Sequence, residues 1–327
     1  MKLQTCDIGP NASGRVRPWL SVVMPTWRGE RWIGAALQSI AEEQLEGIEV
    51  LLLDSSDTPA TIDVARRYMD RLDLHIYVCP DLPTWQAKTN HAVSIASADH
   101  VCWLHQDDLW LPGRAAAVRT WIAKAPGATL HLAPSVYIDE NGCKLGIWRC
   151  PLPAGRHLDG NLVRRRLVIQ NFISAPAPVF RKQAWLDCGG MDEQLWYTGD
   201  WDVWLKLAAS GPVIYHDQVT SAFRIHADSQ TATGSRDLAD FTRQMQIVLD
   251  RHLPQMSKDK ATERAARVSV AINTALAAVG TGHTRALWRI LAETARLGPV
   301  GLCRYLRDSR IVERLMPRVQ ARLKGAF

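Results

Sequence analysis

Two adjacent carboxylates, Asp107 and Asp108, follow a short apolar run in the segment Trp103-Leu104-His105-Gln106-Asp107-Asp108-Leu109-Trp110-Leu111-Pro112. Paired hard-oxygen donors at a strand end suit Mg²⁺ or Mn²⁺ carrying a diphosphate. Such ions take few protein ligands and let phosphate oxygens complete the shell. The same pair would also cap a helix beginning near Leu109, and spacing alone leaves both uses open. Two further groups stand straight after apolar runs: Pro25-Thr26-Trp27, and Asp54-Ser55-Ser56-Asp57. The chain carries 13 tryptophans, many beside these motifs, Trp27, Trp85, Trp103, Trp110, Trp196, Trp201 and Trp204 among them. Flat rings suit a nucleobase or a sugar, although core filling is the plainer use.

The elements that position these groups alternate. Residues 20–24, 48–53, 74–78 and 101–104 are short apolar runs of strand character. Residues 33–40, 61–69 and 84–95 carry helical spacing, with Thr84 as a cap. This rhythm predicts a mostly parallel sheet covered by helices on both faces. Ligands of such sheets bind beyond the carboxyl ends of the strands, where the three motifs lie. After Ala125 the rhythm changes. Residues 129–138 and 143–148 read as a hairpin around Asp139-Glu140-Asn141-Gly142. Residues 173–180 form an apolar stretch in which Pro176 and Pro178 imply an edge or a bend. Residues 201–209 predict an amphipathic helix, 213–215 a short strand, and the chain from about Asp237 onwards is helical throughout.

Composition sets the outer bounds. Of 327 residues 47% are apolar, which supports a sizeable core and excludes wholesale disorder. A net charge of +6 fits an anionic ligand or surface. No nucleic-acid-binding motif accompanies that charge, so a nucleic-acid partner is not expected. The seven cysteines form no Cys-x-x-Cys pair, and Cys79 and Cys102 sit inside apolar runs as buried thiols. Together with an N-terminus lacking an apolar signal core, this predicts a cytoplasmic protein.

The motifs in their order resemble the family 2 glycosyltransferases of GT-A fold over roughly residues 18–230. The resemblance rests on Val22-Val23-Met24-Pro25-Thr26-Trp27, Asp54 at the end of the second strand, and His105-Gln106-Asp107-Asp108 followed by Trp110 and Pro112. It continues through Ser174-Ala175-Pro176, Phe180-Arg181, Gly189-Gly190-Met191-Asp192-Glu193, Gly199-Asp200-Trp201-Asp202-Val203-Trp204-Leu205 and Arg224-Ile225-His226. Two positions depart from the family pattern. His105 stands where a first Asp is usual, and Gly199 replaces a Glu.

The resemblance implies an inverting, metal-assisted transfer of a sugar from a nucleotide diphosphate to a hydroxyl acceptor, such as a cell-surface glycan or a lipid-linked precursor. It implies Asp107 as chief ligand of Mg²⁺ or Mn²⁺, with His226 completing the metal or phosphate shell. It implies Asp200 as the base that accepts the acceptor's proton, in a position that would also cap the helix from Trp201. Pro25, Thr26, Trp27, Asp54, Asn90, His105, Gln106 and Asp108 are the expected nucleotide-sugar contacts, with Trp27 as platform for the base. Lys88 adds charge toward the diphosphate or is a solvated surface lysine. Two competing readings are a degenerate sugar-nucleotide-binding protein and a sugar nucleotidyltransferase. The latter requires a Gly-rich basic loop after the first strand, where this chain has only Thr26-Trp27-Arg28-Gly29.

The expected organisation is an N-terminal arm over 1–17, a GT-A domain over 18–230 with a nucleotide-sugar half (18–124) and an acceptor half (125–230), and a helical extension over 231–327. In that extension Arg304, Arg307, Arg314, Arg318 and Arg322 recur at helical spacing. Leu302, Leu306, Leu315, Val319 and Leu323 line another face. A basic amphipathic helix of this kind lies on an anionic membrane or packs against the catalytic domain.

Overall fold

The structure is a computed structural model that describes residues 17–230, Thr233, 237–256 and 259–323. Apart from Arg17, the expected N-terminal arm lies outside the described residues.

Strand and helix alternate at first: β1 (Leu20–Thr26), α1 (Ile33–Ala41), β2 (Ile48–Asp54), α2 (Ala60–Arg66), β3 (Asp73–Val78), α3 (Trp85–Ile95) and β4 (His100–Trp103). Then come β5 (Leu109–Trp110), α4 (Arg114–Lys124), β6 (Leu130–Leu132), β7 (Ser135–Ile138), β8 (Lys144–Trp148), β9 (His157–Leu158), α5 (Gly160–Leu167), β10 (Val179–Arg181), α6 (Lys182–Asp187), α7 (Gly199–Ser210), β11 (Val213–Tyr215) and β12 (Ser221–Arg224). The chain ends in α8 (Leu238–His252), α9 (Lys260–Gly280), α10 (Ala286–Ala295), α11 (Gly298–Ser309) and α12 (Ile311–Leu323).

The large sheet has the order β3-β2-β1-β4-β10-β6-β11-β9. Its β3-β2-β1-β4 part is parallel, and β10 runs antiparallel between β4 and β6. Alternation along β1 explains the two-sided cover. Leu20, Val22 and Met24 pack with Ile33, Leu37, Ile62 and Trp121, while Val23 packs with Ala92, Val93 and Trp103 on the opposite face. A second sheet, β5-β12-β7-β8, stands beside the first and carries the segments that flank Asp107-Asp108 and His226. The expected halves, 18–124 and 125–230, share the large sheet. The extension also joins the same core, where Phe241, Val248, Ala266 and Tyr305 pack with Trp201 and Phe172.

Three local expectations are corrected. The run 129–138 is two strands, β6 in the large sheet and β7 in the small one, parted at Ala133-Pro134. Pro134 has no N–H to continue a ladder, which lets the chain change sheets there. The hairpin itself forms between β7 and β8. Its turn is held by Asp139 Oδ1, which accepts from the N–H of Asn141 (3.0 Å) and of Cys143 (2.9 Å), and by Gly142 at φ 83°. Of 173–180 only Val179–Arg181, after the two prolines, pairs as a strand. No helix caps at Asp107 or Asp108 either: Leu109 and Trp110 form β5, and α4 begins at Arg114 behind Gly113 at φ 86°.

The arginine stripe of the C-terminal helices also turns out differently. Arg310 takes a left-handed φ of 50° and separates α11 from α12. Arg304 bonds Thr262 and Asp259, Arg307 bonds Asp308, and Arg314 is buried. The exposed residues of this region are instead largely apolar: Val300, Leu306, Val312, Met316 and Val319, with Leu287, Trp288 and Leu291 on α10. Leu323's side chain lies outside the description. Among the described residues no helix is long and apolar enough to cross a membrane.

Candidate active site

The carboxyl ends of β1, β2 and β4 meet in one place, as the strand alternation requires. Asp107 lies just past β4, and its Oδ2 is 2.8 Å from Nε2 of His226, which follows β12. Burial works to raise the Asp107 carboxyl, but the His226 hydrogen bond and the neighbouring His105 hold it below the ordinary range. Arg224 ties the two loops together. Its backbone N–H donates to Asp108 Oδ1 (3.0 Å), its Nε to the Asp107 carbonyl (2.8 Å) and its Nη1 to the carbonyls of Asp139 and Glu140. The guanidinium carbons of Arg224 and Arg31 lie 4.5 Å and 4.2 Å from the Trp32 ring, and His226 packs 5.7 Å from the same ring.

Among the described residues no three His, Cys, Asp or Glu side chains converge as a self-sufficient metal cluster. Two adjacent donors, Asp107 Oδ2 and His226 Nε2, with buried Asp108 Oδ2 left without a partner, fit an ion whose remaining ligands are phosphate oxygens. Burial disfavours a charge on His105, opposed by the Asp107 carboxylate. Its ring packs edge-on to Trp85 at 5.3 Å and stacks near Trp103 at 6.2 Å.

Several expected nucleotide contacts brace the loops around the site. Pro25, Thr26, Asp54 and Asp108 are buried. Asp54 accepts from Thr26 Oγ1 (2.8 Å) and from the N–H and hydroxyl of Ser56 (3.1 and 2.8 Å). Asp108 is raised well above the carboxylate range by burial and by the charge of Asp107. Lys88 is buried rather than solvated, and donates to the Thr26 carbonyl (2.6 Å) and Ser55 Oγ (2.7 Å). Burial lowers its ammonium to about 8 against the opposing pull of Asp54. It therefore ties the ends of β1 and β2 together.

Trp27 is the open member, with 53% of its surface exposed and the Arg28 guanidinium 4.8 Å from its ring. Gln106 fixes it from the β4 side: Oε1 accepts from Trp27 N–H (2.9 Å) and Nε2 donates to its carbonyl (3.1 Å). A Cβ at Gly29 would stand 2.6 Å from that same Oε1, which is why the loop has glycine there. Asn90 uses its amide on the Gly189–Met191 loop, donating to Met191 O (2.9 Å) and Glu193 Oε1 (3.2 Å) and accepting from Met191 N (2.9 Å). Most of the other tryptophans fill the core: Trp103 and Trp204 lie 4.5 Å apart, and Trp185 packs 5.7 Å from Trp103.

Asp200 stands in the first turn of α7, behind Thr198 at the cap position, so it is not the cap itself. Its Oδ1 accepts from the N–H of Trp201 (2.7 Å) and its Oδ2 from Asn171 Nδ2 (2.8 Å). Burial raises its carboxyl to about 6, with these two hydrogen bonds opposing. Asn171 carried no signal in the sequence, because nothing in residues 168–173 marks a polar group aimed at a residue 29 positions further along the chain. A Cβ at Gly199 would meet the Gln86 and Met191 side chains at 3.3 and 3.4 Å, a close but not a forbidden approach.

Comparisons with known proteins bear on the family and the fold. The glycosyl transferase family 2 model matches residues 21–166, the strands and loops that hold Trp27, Asp54, Asp107 and Asp108. Residues 21–166 are a family 2 glycosyltransferase domain. An uncharacterized glycosyltransferase of Rickettsia felis is 21% identical over 250 residues, which span 74% of this chain and 39% of that protein. The glycosyltransferase RP339 of Rickettsia prowazekii is 22% identical over 231 residues, 68% of this chain and 69% of its own length. The chain thus spans well under half of the first relative and about two thirds of the second. Among solved structures, the mannosyltransferase PcManGT of Pyrobaculum calidifontis, in complex with GDP-Man and Mn²⁺, has a TM-score of 0.57 at 18% identity, covering 95% of this chain and 86% of that one. TarS 1-349 of S. aureus, in complex with UDP-GlcNAc, also has a TM-score of 0.57, at 14% identity over 94% and 92% of the two chains. The fold of this family 2 domain is GT-A, as expected from the motif order.

Proposed function

We propose that this glycosyltransferase moves a sugar, with inversion at the anomeric carbon, from a nucleotide diphosphate to a hydroxyl acceptor on a cell-surface glycan or lipid-linked precursor. The observation that carries the reading is Asp200. It is a half-buried carboxyl raised to about 6, so it is ionised near neutral pH yet basic enough to take a proton. Asp200 accepts the acceptor's proton while Asn171 and the Trp201 N–H hold its orientation. The acceptor oxygen then attacks opposite the leaving group, and a single displacement inverts the centre. Asp107 and His226 would hold Mg²⁺ or Mn²⁺, which when bound supplies positive charge for the leaving nucleoside diphosphate. Trp27 offers its exposed ring face to the nucleobase, and Gln106 keeps that ring in place. Family neighbours in complex with GDP-Man, Mn²⁺ and UDP-GlcNAc support a sugar-nucleotide donor and a divalent ion.

The place of work we propose is the cytoplasmic face of a membrane. Support comes from the exposed Leu287, Trp288 and Leu291, apolar side chains that an interface would cover.

The test is nucleoside diphosphate release from a panel of UDP- and GDP-sugars with Mn²⁺, alongside Asp200→Asn. The variant should bind donor as the wild type does and turn over about 10² to 10⁴ times more slowly. A donor that binds tightly to the wild type and is never cleaved, with or without acceptor, would favour the binding-only reading.

A further inference from the structure

Arg314 lies on α12 with 9% of its surface exposed, and among the described residues its buried Nε and Nη1 have no hydrogen-bond partner. The nearby ion pairs bypass it. Arg310 holds Glu313 Oε1 at 2.7 Å, Arg149 approaches Glu313 Oε2 at 3.9 Å, and Arg307 holds Asp308 at 2.8 Å. A buried guanidinium with unused donors is an unfavourable arrangement unless an anion neutralises it.

Its surroundings are aromatic and rich in further donors. The Arg314 guanidinium carbon lies 5.8 Å from the Trp148 ring, and that of Arg318, one turn on, lies 5.7 Å from the Tyr137 ring. Tyr137 and Trp148 stack at 5.2 Å, Arg318 acts on the Tyr137 hydroxyl, and among the described residues the Trp148 indole nitrogen has no hydrogen-bond partner. Pro317 fixes the helix against this hairpin, where a Cβ on Gly146 would come within 3.0 Å of its ring. Burial raises Asp200, and the Arg314 charge is among the groups opposing it; Arg314 likewise opposes the effect of burial on Tyr197.

We infer that Arg314, with Arg318, Tyr137 and Trp148 around it, binds a phosphate ester on the acceptor, so that an acceptor hydroxyl meets Asp200. A phosphate suits the site better than a carboxylate, because its oxygens spread in three dimensions toward donors that come from a helix and a hairpin. The inference rests on Asp200 being the base of the proposed transfer, and it makes the C-terminal helix part of the acceptor site.

Calorimetry on the full chain, saturated with UDP or GDP and Mn²⁺ to fill the donor side, tests it. The titrants are glycerol, glycerol 3-phosphate and dihexanoyl phosphatidylglycerol. One or both phosphate esters should bind and glycerol should not. Arg314→Gln should weaken that binding at least tenfold, and Arg314→Lys should restore part of it. Binding of the lipid ester alone would assign the phosphate to a lipid-linked acceptor, and binding of glycerol 3-phosphate would assign it to a soluble one. Tyr137→Phe, which keeps the ring and removes the hydroxyl, should weaken binding severalfold, and it decides the matter if Arg314→Gln melts early. Phosphate esters that bind both variants as tightly as the wild type, or that fail to bind the wild type, overturn the inference. Binding is read without turnover, so a wrong base assignment shows separately, as an active Asp200→Asn enzyme.

Discussion

Nε2 of His226 lies 2.8 Å from Oδ2 of Asp107, across 119 residues of chain. The contact exists because β12 pairs with β5 and β7 in the small sheet, which sets the end of β12 beside the loop leading into β5. Arg224, two residues before His226, locks that approach by bonding to both Asp107 and Asp108.

Asp107→Ala is expected to abolish Mn²⁺-dependent nucleotide binding, with turnover lowered by at least about 10²-fold. His226→Ala should weaken binding less, since it leaves a carboxylate in place. Calorimetric titration of Mn²⁺ with a nucleoside diphosphate measures both. Full retention in Asp107→Ala would remove it as the chief ligand.

The rate of transfer should rise with pH through about 6, where Asp200 ionises, and level off above it. Asn171 donates to the charged form of this carboxyl, so Asn171→Ala should move the acid limb of kcat to higher pH. A limb that stays in place would detach Asn171 from the base.

Acid should destabilise the fold through a buried histidine pair. His131 Nδ1 lies 3.1 Å from His216 Nε2, and burial first, then neighbouring charge, lowers His131 to about 3; burial lowers His216 to about 4, opposed by Asp217. The unfolded chain protonates both near 6.5, so between about 6.5 and these lower values it binds more protons than the folded chain. Stability therefore falls as pH falls through that window, by up to about 1.4 kcal/mol per pH unit for fully buried His131. Urea midpoints between pH 7 and 4 should show this slope, and His131→Gln should flatten it.

Vesicle association, if the exposed residues of α10 provide it, should depend on apolar contact more than on charge. Trp288→Ser with Leu291→Ser should reduce pelleting with vesicles severalfold, and raising the salt should change the wild type little. Steep loss with salt, with no effect of the double substitution, would return the role to the arginines.

Much of the scaffold was legible from pattern alone. The first four strands and three helices follow from apolar runs and helical spacing between residues 20 and 104, because each buries its own face against the same sheet. Thr84 was readable as a cap, and its side chain accepts from the Ala87 N–H at 3.1 Å. The break at Pro134 was not read, since a run of apolar residues does not say which sheet it joins.

Side-chain direction was the harder part. Asp54, Thr26 and Asp108 were found at strand ends, yet sequence could not tell that all three side chains are buried there. The arginines of α11 and α12 had helical spacing that fits either a solvated face or a packed one. Arg304 and Arg314 turn toward partners distant in sequence, Asp259, Thr262 and Trp148 among them, while Arg307 and Arg322 stay exposed.

The sequence by itself determined the strand-helix order, the GT-A class and the identity of Asp107, Asp200 and His226 as candidates. These depend on local periodicity and on the order of motifs along one chain. Only the tertiary structure decided which of those residues meet, that Asn171 holds Asp200, and that Arg314 is buried. Contacts of that kind depend on sheet pairing and helix packing between segments some 30 to 120 residues apart, and the free energy of such packing is carried by neither segment alone.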